Sequence, residues 1–76
     1  MTVHDEVLAN NVRTALAMDK RTSNLPIDVR ASGGEVYLKG KVESYEEQDV
    51  AQFIASGVPG VRHVDVKELN VAEGAP

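Results

Sequence analysis

The chain contains no cysteine. That excludes a disulfide framework, a thiolate metal centre and a cysteine nucleophile. It also lacks any excess of positive charge, with 8 Lys and Arg against 12 Asp and Glu and a formal net charge of −4. Such a balance argues against non-specific attraction to nucleic acid or to anionic lipid, and leaves room only for a local basic patch. No apolar run approaches the roughly 18 residues that a membrane span needs. The opening "MTVHDEVLANN" has neither a basic n-region nor an apolar h-region, so it does not read as a secretory signal. The expectation is a soluble cytoplasmic protein, or a periplasmic one if a leader has been removed. Internal repeats, linkers and low-complexity tracts are missing too, which points to a single domain over 1–76, with a core over about 5–71 and a flexible tail at 72–76.

With 76 residues, a domain hides only about 60% of the surface its unfolded chain exposes. Modest stability follows, and a homodimer is a natural way to add buried area.

What is present is amphipathic patterning. In "DEVLANNVRTALAMD", Leu8, Val12, Ala15 and Leu16 recur at helical spacing and form one apolar stripe. Thr2 suits an N-cap, with Asp5 three residues on, and Asp5 and Glu6 suit the positive end of the helix dipole. "DKRTSNLP" is a polar loop whose Pro26 holds Leu25 extended. Ile27, Val29 and Ala31 then alternate with Asp28, Arg30 and Ser32; after Gly33-Gly34, Val36, Leu38 and Val42 alternate with Tyr37, Lys39 and Lys41. Period-two alternation on both sides of a Gly-Gly predicts a hairpin with one buried face. Gly40 falls on that buried side, where a helix could approach the sheet closely.

A second helix is predicted over "SYEEQDVAQFIASGVPG". Ser44 and Glu47 stand at capping-box spacing, Ala51, Ile54, Ala55 and Val58 form the inward stripe, and Gly57, Pro59 and Gly60 stop it. In the last strand, "VRHVDVKELNV", Val64 and Val66 share one parity, and Leu69 and Val71 the other. A β-bulge near Lys67-Glu68 would restore a single buried face. The predicted class is α+β in the order α-β-β-α-β, with two helices on one face of a three-stranded mixed sheet and the other face open.

In this order and spacing, "VRTAL" with Asp19, "IDV", "GGEVYLKGKVES", "AQFIA" and "GVPGV" followed by Val64 resemble the BON domain, a small bacterial family. The resemblance spans roughly residues 5 to 71. The family's last strand usually reads Val-any-Asn-any-Leu-any-Val, whereas "VDVKELNV" lacks the Asn and carries one extra residue. The resemblance implies a non-enzymatic binding module without a cofactor, and phospholipid as ligand, with links to transport, osmotic stress or ion sensing in some members.

Candidate chemistry is sparse. His4 and His63 are tied to no Ser by a recognisable motif, so no nucleophile–base pair is evident. The acids of "SYEEQD" sit where a helix N-terminus favours them regardless of catalysis; the Glu43–Asp49 run is at most a weak cation site. His63 and Asp65 share a strand face but lack a third ligand for zinc. "GVPG" has the Gly-x-x-Gly form of KH domains but leads into a strand and offers no basic residue. Strand parity places Arg30, Tyr37, Lys39 and Lys41 together on the open sheet face, where they could hold phosphate head groups. The competing reading is ordinary solubility and edge protection, and the same face could bury itself against a second copy. Phe53 and Val50 lie beside the stripe of the second helix: either the stripe is wide and Phe53 packs along the sheet edge, or the helix docks onto a partner or lipid. The expected ligand contacts are Arg30, Tyr37, Lys39, Lys41 and Phe53, for anionic phospholipid or, alternatively, for a protein partner or homodimer.

Overall fold

The computed structural model describes residues 2–72. Its elements are α1 (Val3–Met18), β1 (Ile27–Ser32), β2 (Glu35–Val42), α2 (Tyr45–Ser56) and β3 (His63–Val71). The sheet order is β1-β2-β3, with β1 antiparallel and β3 parallel to the central β2. The α+β class, the element order and the mixed three-stranded sheet thus agree with the sequence pattern.

Each boundary has a local cause. At the start of α1, Thr2 Oγ1 accepts from the Asp5 N–H at 3.2 Å and the Thr2 N–H donates to Asp5 Oδ2 at 3.1 Å, a complete capping box. Its C-terminus is closed by Thr22, whose buried hydroxyl donates to the Leu16 carbonyl at 2.6 Å. Gly33 and Gly34 both have positive φ, 59° and 88°, as a two-residue hairpin turn of right-handed twist requires. At α2, Ser44 Oγ accepts from the Glu47 N–H at 3.1 Å, but Glu47 Oε1 reaches past the cap to the Glu43 N–H at 2.7 Å. The box is shifted by one residue. Ala72, the first residue of the expected tail, donates from its N–H to the Val42 carbonyl at 3.0 Å; the rest of that tail lies outside the described residues.

Both helices cover one sheet face, α1 over β1 and α2 over β3. Val29, Val36, Leu38 and Val42 from the sheet and Val12 from α1 are the largest fully buried side chains. Each contributes about 1.5–3 kcal/mol by leaving water. Ala9, Ala51 and Ala55 are fully buried as well, and their small side chains let the helices settle close to the strands.

Two expectations shift. Gly40 is needed, but not for a helix: a Cβ there would collide with the Pro26 carbonyl oxygen at the entry to β1. And the bulge lies one residue earlier than expected. Tyr37 pairs with Asp65 and Lys39 with Glu68, so Val66 and Lys67 together oppose Leu38. Asp65 Oδ1 accepts from the Lys67 N–H at 2.8 Å and fixes the extra residue. Beyond it, Leu69 returns to the buried face.

Candidate functional site

The open sheet face carries Arg30, Tyr37, Lys39 and Lys41 together, all exposed. Tyr37 is 37% exposed and points away from the helices. The register adds what strand parity within the hairpin did not show. Across the sheet the rows read Ser32–Glu35–His63, Arg30–Tyr37–Asp65 and Asp28–Lys39–Glu68, with Lys41 beside Asn70. Three cations are thus interleaved with Asp28, Glu35, Asp65 and Glu68. The Arg30 guanidinium lies 3.6 Å from the Asp28 carboxylate, and Lys39 has an acid on each side. This is a mixed-charge face and not a basic patch; among the described residues, Lys41 is the one of the three cations with no acidic neighbour in its own row.

Phe53 belongs to a different surface. It lies on α2, which packs against the opposite side of the sheet from Arg30, Lys39 and Lys41. It does not pack along a sheet edge. Phe53 is 73% exposed and Met18, on α1, 79% exposed. The two line a groove of about 580 Å³ between the helices, together with Ala15, Ile54, Asn11 and Thr14. Among the described residues, none that lines the groove is charged, in a chain of which 26% is charged. Sequence reasoning missed Met18. The signal was present, since Val7, Asn11, Thr14 and Met18 form an uncharged strip at helical spacing beside the core stripe.

A second cavity, about 630 Å³, lies between the start of α1, the hairpin tip and the loop before β3, with His4, Asp5, Asn11 and Gly60 on its wall. Its carboxylate is committed to structure. Asp5 Oδ2 accepts from Thr2 and Oδ1 from the Gly33 N–H at 3.0 Å. These backbone donors, Thr2 first and Gly33 second, hold the Asp5 carboxyl below its ordinary pKa. Asp19 is pulled down further, to about 2, chiefly by the hydrogen bond from the Arg21 side chain at 2.9 Å; that pair closes the loop after α1.

The remaining candidates are brought into no common site. Asp65 is engaged by the bulge and Glu47 by the α2 cap. Among the described residues, no three His, Asp or Glu side chains come together as metal ligands, and no helix is long and apolar enough to cross a membrane. Sequence reasoning also gave no role to Arg13 and Gln48. Arg13 donates from α1 to the Val29 carbonyl of β1 at 2.8 Å, and Gln48 from α2 to the Leu69 carbonyl of β3 at 3.4 Å. Each helix therefore covers a carbonyl of one edge strand.

A Deinococcus radiodurans protein, named only as uncharacterized, is 43% identical to this chain over 68 residues, which cover 90% of the chain and 27% of that relative. The chain thus spans about a quarter of the relative's length. The profile of the BON domain matches residues 4–73. With the same helix and strand order now seen in three dimensions, the chain belongs to the BON domain family.

Proposed function

We infer that this domain is a non-enzymatic interaction module that receives an apolar segment of a protein partner in the groove between α1 and α2. The observation that supports this is the uncharged groove flanked by Phe53 and Met18, both more than two-thirds exposed. An aromatic and a methionine at the rim of an apolar groove are the residue types that anchor partners, because both bury large surface and methionine adapts its shape.

An anionic phospholipid surface is the second reading. Two apolar side chains protruding from one side of a helical layer suit insertion at a bilayer interface. Charge favours the protein partner instead. Membrane-surface helices draw on Lys and Arg, whereas here the described residues that line the groove supply no cation, the first turns of α1 and α2 carry Asp5, Glu6, Glu46 and Glu47, and the net charge is −4.

Replacing Phe53 by p-benzoylphenylalanine separates the readings, since irradiation joins the ring to whatever lies in the groove. A polypeptide-mass adduct that Met18→Glu abolishes supports the protein partner. A lipid-mass adduct, with pelleting on phosphatidylglycerol vesicles but not on phosphatidylcholine vesicles, supports the second reading. Absence of any adduct from position 53 overturns the groove as the contact surface.

A further inference from the structure

The open sheet face has a charge pattern that matches itself in one orientation, and we propose that two copies of this chain stack through it, back to back, about a two-fold axis running across the strands. The face is a small grid. Along β2 it reads Glu35, Tyr37, Lys39, Lys41; β1 adds Arg30 beside Tyr37 and Asp28 beside Lys39; β3 adds His63, Asp65, Glu68 and Asn70 in the same rows.

Two face-to-face arrangements keep the strands nearly aligned, as stacked sheets require. An axis parallel to the strands lays Glu35 on Glu35, Lys39 on Lys39 and Lys41 on Lys41 of the second copy, and Asp28 on Glu68. Like charges then meet along most of the contact, and the favourable pairings are Arg30 on Asp65 and, at the axis, Tyr37 on Tyr37. An axis across the strands, between the Tyr37 and Lys39 rows, reverses the row order. Glu35 then meets Lys41 of the second copy, Arg30 meets Asp28, and Tyr37 meets the Lys39 ammonium, each twice by symmetry. The one unfavourable pairing, Asp65 with Glu68, falls on β3 at the rim. Edge-to-edge pairing of the sheets is hindered, because Arg13 and Gln48 already occupy carbonyls of β1 and β3.

The association is weak and salt-sensitive. Three strands of about eight residues, at a rise of about 3.3 Å and a spacing of about 4.8 Å, bury about 750 Å² in total. That is below the roughly 1,200 Å² of ordinary specific interfaces and fits a dissociation constant of about 0.1–1 mM. The dimer faces its two α1–α2 grooves outward on opposite sides, so whatever occupies the grooves, the assembly is two-headed.

Sedimentation velocity at about 1 mM protein tests this, in about 20 mM and about 500 mM salt. The wild type forms dimers at low salt and loses them at high salt. Glu35→Lys and Lys41→Glu, both at exposed positions, each weaken self-association at least about tenfold, because each sets like charges face to face twice. Mixed in equal amounts, the two variants restore the dimer as a heterodimer, since both contacts between positions 35 and 41 then join opposite charges. Far-ultraviolet circular dichroism verifies that both are folded. A wild type that stays monomeric at low salt, single variants that dimerise as it does, or a mixture that fails to recover each overturn the proposal. The double variant Phe53→Ser, Met18→Ser still dimerises; if it does not, association runs through the groove and the sheet-face proposal is overturned.

Discussion

The carboxylate of Asp5 accepts a hydrogen bond from the Gly33 amide at 3.0 Å, joining the first turn of α1 to the tip of the hairpin 28 residues away. One residue thus caps a helix with one oxygen and braces a turn with the other. A group whose folded pKa is depressed contributes stability that is complete above its unfolded pKa, near 4, and is lost as pH falls through the folded value. Asp5 and Asp19 both behave this way. The wild type therefore loses stability from about pH 4 downward, and the Asp19 share is gone by about pH 2. Asp5→Asn keeps only one acceptor oxygen. It lowers the urea midpoint at pH 7, and its midpoint falls less steeply than the wild type's between pH 4 and pH 2. Parallel pH profiles of the two proteins would contradict the assignment.

Gly40 and Gly33 make a contrasting pair. At Gly40 φ is 143° and an added Cβ would strike the Pro26 carbonyl oxygen; at Gly33 φ is 59° and nothing lies within 4 Å. Gly40→Ala therefore costs at least about 2 kcal/mol, from backbone strain and the forced separation of β1 from β2. Gly33→Asn stays within about 1 kcal/mol, since Asn adopts left-handed backbone at modest cost. Chemical denaturation of both variants checks the difference in size.

Removing Lys67 should regularise β3 without disturbing its face. The bulge places Val66 and Lys67 opposite Leu38; with Lys67 deleted, Val66 alone takes that position, and Glu68, Leu69 and Asn70 keep their partners. The deletion variant folds, within about 1 kcal/mol of the wild type. Deleting Asn70 instead, beyond the bulge, moves Val71 to the exposed side and costs clearly more. Thermal melts of the two single-residue deletions are the measurement.

The fold was legible because its elements follow simple periods: Val29, Ala31, Val36 and Leu38 alternate without interruption, and the change of phase between Val66 and Leu69 announced the bulge. The helix caps were local enough to read, and Ser44 took its expected place. The site was not legible, for a physical reason. Parity along β1 and β2 put three cations on one face, but whether cations form a patch depends on what the third strand sets beside them. Asp65 and Glu68 arrive there only through the parallel pairing with β3, which local spacing does not reveal. The roles of Arg13 and Thr22 were hidden similarly, since each acts on a carbonyl six or more residues away. The α1–α2 groove arises where two helices meet and belongs to neither alone.

Phe53 is the residue on which the groove's two possible roles give opposite results. If it served the core, truncating it would cost about 3–5 kcal/mol. It is 73% exposed, whereas Ala51 and Ala55 on the same helix are fully buried. Phe53→Ser should therefore leave the unfolding free energy within about 0.5 kcal/mol of the wild type, while Ala55→Leu, which pushes a larger side chain into the filled core, costs about 1–3 kcal/mol. The same Phe53→Ser change removes the groove's aromatic anchor, so capture from a photoreactive group at Met18 should fall by at least about tenfold. A loss of stability comparable to that of Ala55→Leu would show that Phe53 holds the helices together, and the groove would then be a seam of the fold and not a place for a partner.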